Sequence, residues 1–195
     1  MGPVLVLYYS LHGSTRLLAN KIAQGIEAEG ADAIIRTVPK VSDGFSEKPE
    51  TIPTEGDMYV THEDIKHCSG IALGSPTRFG NMSAAMKYFW DSTAPLWLSG
   101  ELNGKPGCVF TSSSSLHGGQ ESTLLSMMFP LIHHGMLIVS LPYSVPQLHT
   151  TRSGGTPYGP SHVSFGNNEA TLSDDESALA IAMGKRLAIT AKKLG

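Results

Sequence analysis

The chain has 195 residues, with 14 basic and 17 acidic side chains for a formal net charge of −3, 41% hydrophobic residues and 16% charged ones. This composition argues against disorder and supports one sizeable core. The low, nearly balanced charge, against a usual ~25% of charged residues, argues against a general polyanion-binding surface, so nucleic acid is disfavoured as the main ligand.

Val4 to Tyr9 is an apolar, β-branched and aromatic run without alternation, as in a strand buried on both faces. Ser10-Leu11-His12-Gly13-Ser14-Thr15 breaks it, and from Thr15 to Glu29 the residues Leu18, Ile22 and Ile26 recur at helical spacing, with Gly30 as the stop. Ala33 to Val38 reads as a second strand. Strand, helix and strand in this order form a βαβ unit and predict a parallel sheet.

Residues 39–66 carry Pro39, Gly44, Pro49 and Pro53 and read as a long excursion. A third strand follows over Ser69 to Ser75, then a loop from Pro76 to Ser83, with Ser83 placed to cap a helix reaching Asp91. Gly107 to Thr111 makes a fourth strand, followed by a Ser-Gly loop and a segment from Ser122 to His134 that is helical up to Pro130. Met136 to Leu141 makes a fifth strand. Residues 142–170 form a second excursion rich in Gly and Pro. The last helix has a capping box in Ser173 and Glu176, acidic Asp174 and Asp175 at its positive end, and Lys192 and Lys193 at its negative end. The expectation is a single doubly wound α/β domain over 1–195 with about five parallel strands and helices on both faces.

Cys68 and Cys108 match no metal or redox spacing, which suits a reduced protein. The N-terminal apolar run is too short for a signal core, and no apolar stretch reaches membrane-spanning length. A cytoplasmic protein with no membrane partner is expected.

Ligands of such a sheet sit outside the carboxyl ends of its strands. The first loop there has hydroxyls at Ser10, Ser14 and Thr15, a flexible Gly13 and a helix directly behind. It reads either as an anion cradle, needing no lysine, or as an ordinary turn with Ser14 as N-cap. There is no G-x-x-x-x-G-K-[ST], no G-x-G-x-x-G after the first strand and no G-x-S-x-G elbow, so ATP, direct dinucleotide binding of that type and serine hydrolysis lose ground. A mononucleotide phosphate held by hydroxyls and backbone remains. His62 and His67 superficially suggest a zinc helix, but a spacing of five turns them off one face, so no metal is expected.

Ser10 to Thr15 after a hydrophobic strand resembles the flavodoxin phosphate loop. The stretch Gly74-Ser75-Pro76-Thr77-Arg78-Phe79-Gly80-Asn81-Met82-Ser83 resembles the second flavin loop of the WrbA-type NAD(P)H:quinone oxidoreductases. Gly118-Gly119-Gln120-Glu121, His133-His134-Gly135-Met136 and Gly154-Gly155-Thr156-Pro157-Tyr158-Gly159 are similar to further family segments, in family order. The resemblance implies a flavodoxin-like three-layer α/β/α fold, an FMN cofactor, two-electron reduction of quinones by NADH or NADPH, and a homotetramer built as a dimer of dimers.

It also implies site residues. Ser10, Leu11, His12, Gly13, Ser14 and Thr15 would hold the FMN phosphate, with His12 near the nicotinamide nucleotide. Pro76, Thr77, Arg78, Phe79 and Gly80 would line the flavin ring. Ser112, Ser113, Ser114, Ser115, Leu116, His117 and Gly118 would meet its far edge. His133 matches a flavin-site histidine, and Trp97 matches a residue stacking on substrate. Here His12 stands in place of a Tyr-like residue, and the third loop is richer in serine than the family pattern.

Hydride reduction of FMN places negative charge near N1 and the C2 carbonyl, where Arg78, His133 or backbone N–H groups would stabilise it. Phe79 and Trp97 offer flat walls for nicotinamide and quinone in turn, and His133 or His12 a proton for the quinone oxygen. Each residue has a plainer use: Arg78 in a surface salt bridge, Phe79 and Trp97 in packing, His133 at a helix end. Motif order favours function. The competing reading is a flavodoxin-like electron carrier. Carriers that dock by charge present a strongly acidic face, which a net charge of −3 does not supply. A regulatory adaptor finds no support in any basic stripe or recognition helix.

Overall fold

The computed structural model describes residues 1–42, 52–53, 55–167 and 171–195. Strand β1 (Val4–Tyr8) lies between β2 (Ala33–Thr37) and β3 (Gly70–Pro76), with β4 (Pro106–Ser113) next to β3. All pairings are parallel. A strand flanked on both edges and covered on both faces has no solvent side, which is why β1 is buried at every position and does not alternate.

The fifth position of the sheet is divided. The start of β4 pairs with β5 (Leu137–Ile138), at Pro106 and Gly107, and its end pairs with β6 (Ser161–Val163), at Thr111 to Ser113. The expected fifth strand from Met136 to Leu141 is therefore shorter, and the second excursion contains the missing half. The fourth strand is longer than expected at both ends, so Ser112 and Ser113 belong to β4 rather than to the loop after it.

One face carries α1 (Ser14–Ala28) and α7 (Asp174–Leu194), packed over Val4, Val6, Ala72, Cys108 and Phe110. The helices touch through glycine: a Cβ on Gly25 or Gly184 would overlap a carbonyl oxygen of the other helix. The other face carries α2 (His62–His67), α3 (Ala84–Asp91), α4 (Ala94–Leu98) and α5 (Gln120–His133), whose Ile65, Met86, Leu96 and Leu124 join Leu5, Leu7, Ile71 and Leu73. This is the expected three-layer α/β/α arrangement. Short α6 (Gln147–Thr150) lies in the second excursion, and neither it nor α4 is signalled by a sequence period.

Ser83 and Ser173 cap α3 and α7 as expected, the latter with a full capping box. Pro130 does not end α5. The helix runs to His133 and closes on Gly135 (φ 76), with Gly135 N–H bonded to the Ile132 carbonyl and Met136 N–H to that of Leu131. Proline removes one donor, but burial of Leu131 and Met136 and the paired closing bonds hold the last turn. In the first excursion the chain returns at Tyr59 to bridge the edge of β2 at Thr37, then enters α2, which has a capping box from Thr61 and Asp64. Gly44 and Pro49 lie outside the described residues.

Candidate functional site

A cavity of about 290 Å³ opens where β1, β3 and β4 end. The strand order reverses between β1 and β3, the place at which open α/β sheets take ligands. Four loops supply its walls. Ser10, Leu11, His12 and Ser14 come from the first, Pro76, Thr77 and Arg78 from the end of β3 and the second, and Ser112, Ser113 and Ser114 from the end of β4 and the third. Ser164, Gly166 and Asn167 come from the segment after β6. The Gly-rich character of the second excursion marked that region but not these residues.

Gly13, in the left-handed region at φ 91, turns the chain into α1, and its N–H donates to Ser10 Oγ at 3.0 Å. Gly13, not Ser14, is the N-cap, and no side chain caps the helix. The amides of the first turn are thus left for a ligand, beside the positive end of the dipole and among hydroxyls. Thr15 is buried, with its Oγ1 2.8 Å from Ser112 Oγ.

In the second loop Arg78 and Asn81 exchange backbone hydrogen bonds at 2.8 and 3.0 Å, closing a tight hairpin through Phe79 (φ 53) and Gly80 (φ 76). A non-glycine residue in that region is strained. The Phe79 side chain is wholly exposed, at 108%. Thr77 fixes the loop to its neighbours: its N–H donates to the Ser112 carbonyl at 2.9 Å and its Oγ1 accepts from Thr123 Oγ1 at 2.8 Å. Arg78 Nη1 donates to the Thr77 carbonyl at 2.8 Å, which holds the guanidinium at the cavity edge.

Trp97 and His133 come together, but elsewhere. They line a second cavity of about 360 Å³ with Trp90, Thr93, Pro130 and His134. Thr93 Oγ1 donates to the Trp90 carbonyl at 2.8 Å, so at 2.9 Å it accepts from Nε2 of His134. Burial, and next the charge of His133, hold His134 below the usual histidine range. Gly13, Thr15, Phe79, Gly80, Ser115, Leu116, His117 and Gly118 line neither cavity. The Ser115 carbonyl instead accepts from Gly118 N–H and Gln120 Nε2, shaping the turn before α5.

Glu176 has a part that its capping box did not reveal. Only 1% exposed, its carboxylate accepts from Gly154 N–H at 2.8 Å, Val163 N–H at 3.0 Å, Ser173 N–H at 2.9 Å and His162 Nδ1 at 2.8 Å. Burial works to raise its pKa, but the His162 bond and then the backbone N–H donors outweigh it and bring the carboxyl down to about 2. One side chain thereby ties α7 to β6 and to the fourth wall of the first cavity.

His62 and His67 both lie on α2, where His62 Nε2 meets Ser92 Oγ at 3.2 Å and His67 Nδ1 meets the Glu63 carbonyl at 2.9 Å. Among the described residues no helix is long and apolar enough to cross a membrane.

Residues 3–149 match the family described as NADPH-dependent FMN reductase. The chain is 41% identical over 199 residues to the NAD(P)H dehydrogenase (quinone) of Geotalea daltonii, covering 98% of this chain and 97% of that protein. It is 39% identical over 197 residues to that of Gluconacetobacter diazotrophicus, covering 100% and 99%. In fold it is similar to the flavodoxin, WrbA-like protein from Agrobacterium tumefaciens, with a TM-score of 0.73, 24% identity and full coverage of both chains. A flavodoxin from the domain Archaea gives 0.64 at 20% identity, over 97% of this chain and 99% of that one.

Proposed function

We propose, for a chain that belongs to the NADPH-dependent FMN reductase family, that it is an FMN-dependent NAD(P)H:quinone oxidoreductase, the activity named in its full-length relatives. The observation that carries this reading is the hydroxyl-lined cavity at the uncapped start of α1. Its donor set fits FMN. A phosphate dianion needs N–H and O–H donors, which the first turn of α1, Ser10 and Ser14 provide without a lysine. The cavity is near the lower end of the usual ligand range of ~300–1,000 Å³, which suits a mononucleotide with an exposed ring edge.

FMN, when bound, would supply two-electron chemistry between reduced nicotinamide and a quinone. The protein's task is to bind, orient and balance charge. Ser10, Ser14 and the α1 amides anchor the phosphate. Pro76, Thr77 and Arg78 would line the flavin ring, and Ser112 to Ser114 would meet its far edge. The Arg78 guanidinium, held by the Thr77 carbonyl, would offset negative charge gained by the flavin on reduction. His12, exposed in the lining of the cavity, would give a proton to a quinone oxygen.

Trp97 and His133 enter through assembly. The α3–α5 layer exposes Tyr88, Trp97, Leu98, Leu125, Phe129 and Ile132, whereas α1 and α7 expose only Ile189 and Leu194 among large apolar side chains. A contiguous apolar patch is one mark of a protein–protein contact. In our reading the chain acts as one domain and forms a homotetramer, a dimer of dimers, in which a second copy brings its Trp97 and His133 over the first cavity. Two buried free thiols suit the cytoplasm.

Purified protein supplemented with FMN is expected to quench the flavin and to oxidise NADH or NADPH over many turnovers when benzoquinone is added. Flavin binding without that turnover would instead favour the electron carrier.

A further inference from the structure

Beyond the first loop lies a cavity that the reaction above does not use. It holds about 280 Å³ at the ends of β1 and β2 and shares Ser10 and Leu11 with the first cavity as a common wall. Arg16, from the first turn of α1, and Lys40, from the segment after β2, both line it. Among the described residues neither makes an ion pair. The Arg16 guanidinium reaches toward Gly56, where a Cβ would lie 3.9 Å from Nη1.

Two carboxylates, Glu55 and Asp57, face the same space. Asp57 is committed: it accepts the Tyr8 hydroxyl at 2.8 Å. Tyr8 keeps its proton, because burial and then the Asp57 contact push its pKa up. One oxygen of Asp57 is thus taken by Tyr8, and Glu55 stands in the same lining as the two cations Arg16 and Lys40. An arginine fork at this position favours a phosphate, and in dinucleotide sites a carboxylate selects the 2′-hydroxyl whereas an arginine accommodates the 2′-phosphate. Tyr9 and Tyr59 also line the cavity and offer ring surface to a base.

Position favours the same ligand. At about 4.8 Å per strand, a cavity between β2 and β1 lies roughly 10 Å from a ring held at β3 and β4. A dinucleotide with its nicotinamide at the first cavity can span that distance and place its adenosine end here. We propose that this cavity takes the adenosine 2′-phosphate end of NADPH, with Arg16 and Lys40 selecting NADPH over NADH. The proposal rests on the reading of the first cavity as the flavin site.

The test uses FMN-loaded full-length protein, with adenosine 2′,5′-bisphosphate and AMP as calorimetric probes and steady-state kinetics with each reduced nucleotide. Wild type is expected to bind the bisphosphate about tenfold or more tighter than AMP, since charge-assisted bonds to phosphate are worth that much. Arg16→Ala and Lys40→Ala should each narrow this difference and raise the ratio of KM for NADPH to KM for NADH, with Arg16→Ala raising it about tenfold. Flavin titration of the same variants reports whether the first loop is intact. Equal affinity of wild type for both probes, or variants that raise both KM values in parallel, would overturn the proposal. Selective bisphosphate binding by a protein that oxidises neither nucleotide would support this cavity while removing the quinone-reductase reading.

Discussion

Thr15 Oγ1 and Ser112 Oγ lie 2.8 Å apart in a buried contact between residues 97 positions apart in sequence. It locks the first turn of α1 to the end of β4, so two walls of the first cavity cannot separate without breaking it. Thr15→Val keeps the shape but leaves the Ser112 hydroxyl without that partner, at a cost of about 1–3 kcal/mol. Flavin fluorescence titration should show FMN affinity reduced about fivefold or more in Thr15→Val and restored close to wild type in Thr15→Ser. Equal affinity in all three proteins would remove the contact from the site's supports.

Arg78 tests the electrostatic part. Its guanidinium is exposed and held by the Thr77 carbonyl, so Arg78→Ala should cost little stability. Stabilisation of developing charge is commonly worth about 10²-fold or more in rate. Stopped-flow reduction of bound FMN should slow by at least about tenfold in the alanine variant. Unchanged reduction and unchanged FMN retention would take Arg78 off the list.

Glu176 sets an acid limit on folding. Its carboxyl is lowered from 4.5 to about 2 in the folded protein, so the unfolded chain binds its proton at higher pH than the folded one. The stabilisation is complete above pH 4.5 and is lost as pH falls toward 2. By linkage it amounts to on the order of 3 kcal/mol. Urea midpoints followed from pH 6 to pH 3 should fall steeply in wild type, and the slope should flatten in Glu176→Gln. Parallel curves would assign the acid sensitivity to other groups.

The sheet and its main helices were legible because they obey strong local rules. The unbroken run in β1, the helical spacing of Leu18, Ile22 and Ile26, and the caps at Ser83 and Ser173 each have one reading. The divided fifth strand was not. Ser161–Val163 is three residues long and gains its place by pairing with Thr111 to Ser113, a relation without local signature. Pro130 misled because a proline argument weighs the lost donor but not burial of Leu131 and Met136 beyond it. For the site, loop chemistry marked Ser10 to Thr15 and the family resemblance marked Ser112 to Gly118, of which Ser10, Leu11, His12, Ser14 and Ser112 to Ser114 line the first cavity. The separation of Trp97 and His133 from them depends on helix placement, which residue order does not encode.

Assembly provides its own check. Light scattering after size exclusion should give four chains per particle, and Trp97→Ala should lower quinone turnover far more than FMN affinity. A monomer at working concentration with full activity would exclude any contribution from a second copy.

The most direct measurement combines cofactor and substrate in one cuvette: FMN-loaded protein, NADPH or NADH, and benzoquinone added last. The account predicts a yellow protein that is bleached by one equivalent of nucleotide, turns over continuously once the quinone is present and then yields one hydroquinone per nucleotide consumed. No flavin binding, or bound flavin with no quinone-dependent oxidation of either nucleotide, would contradict it.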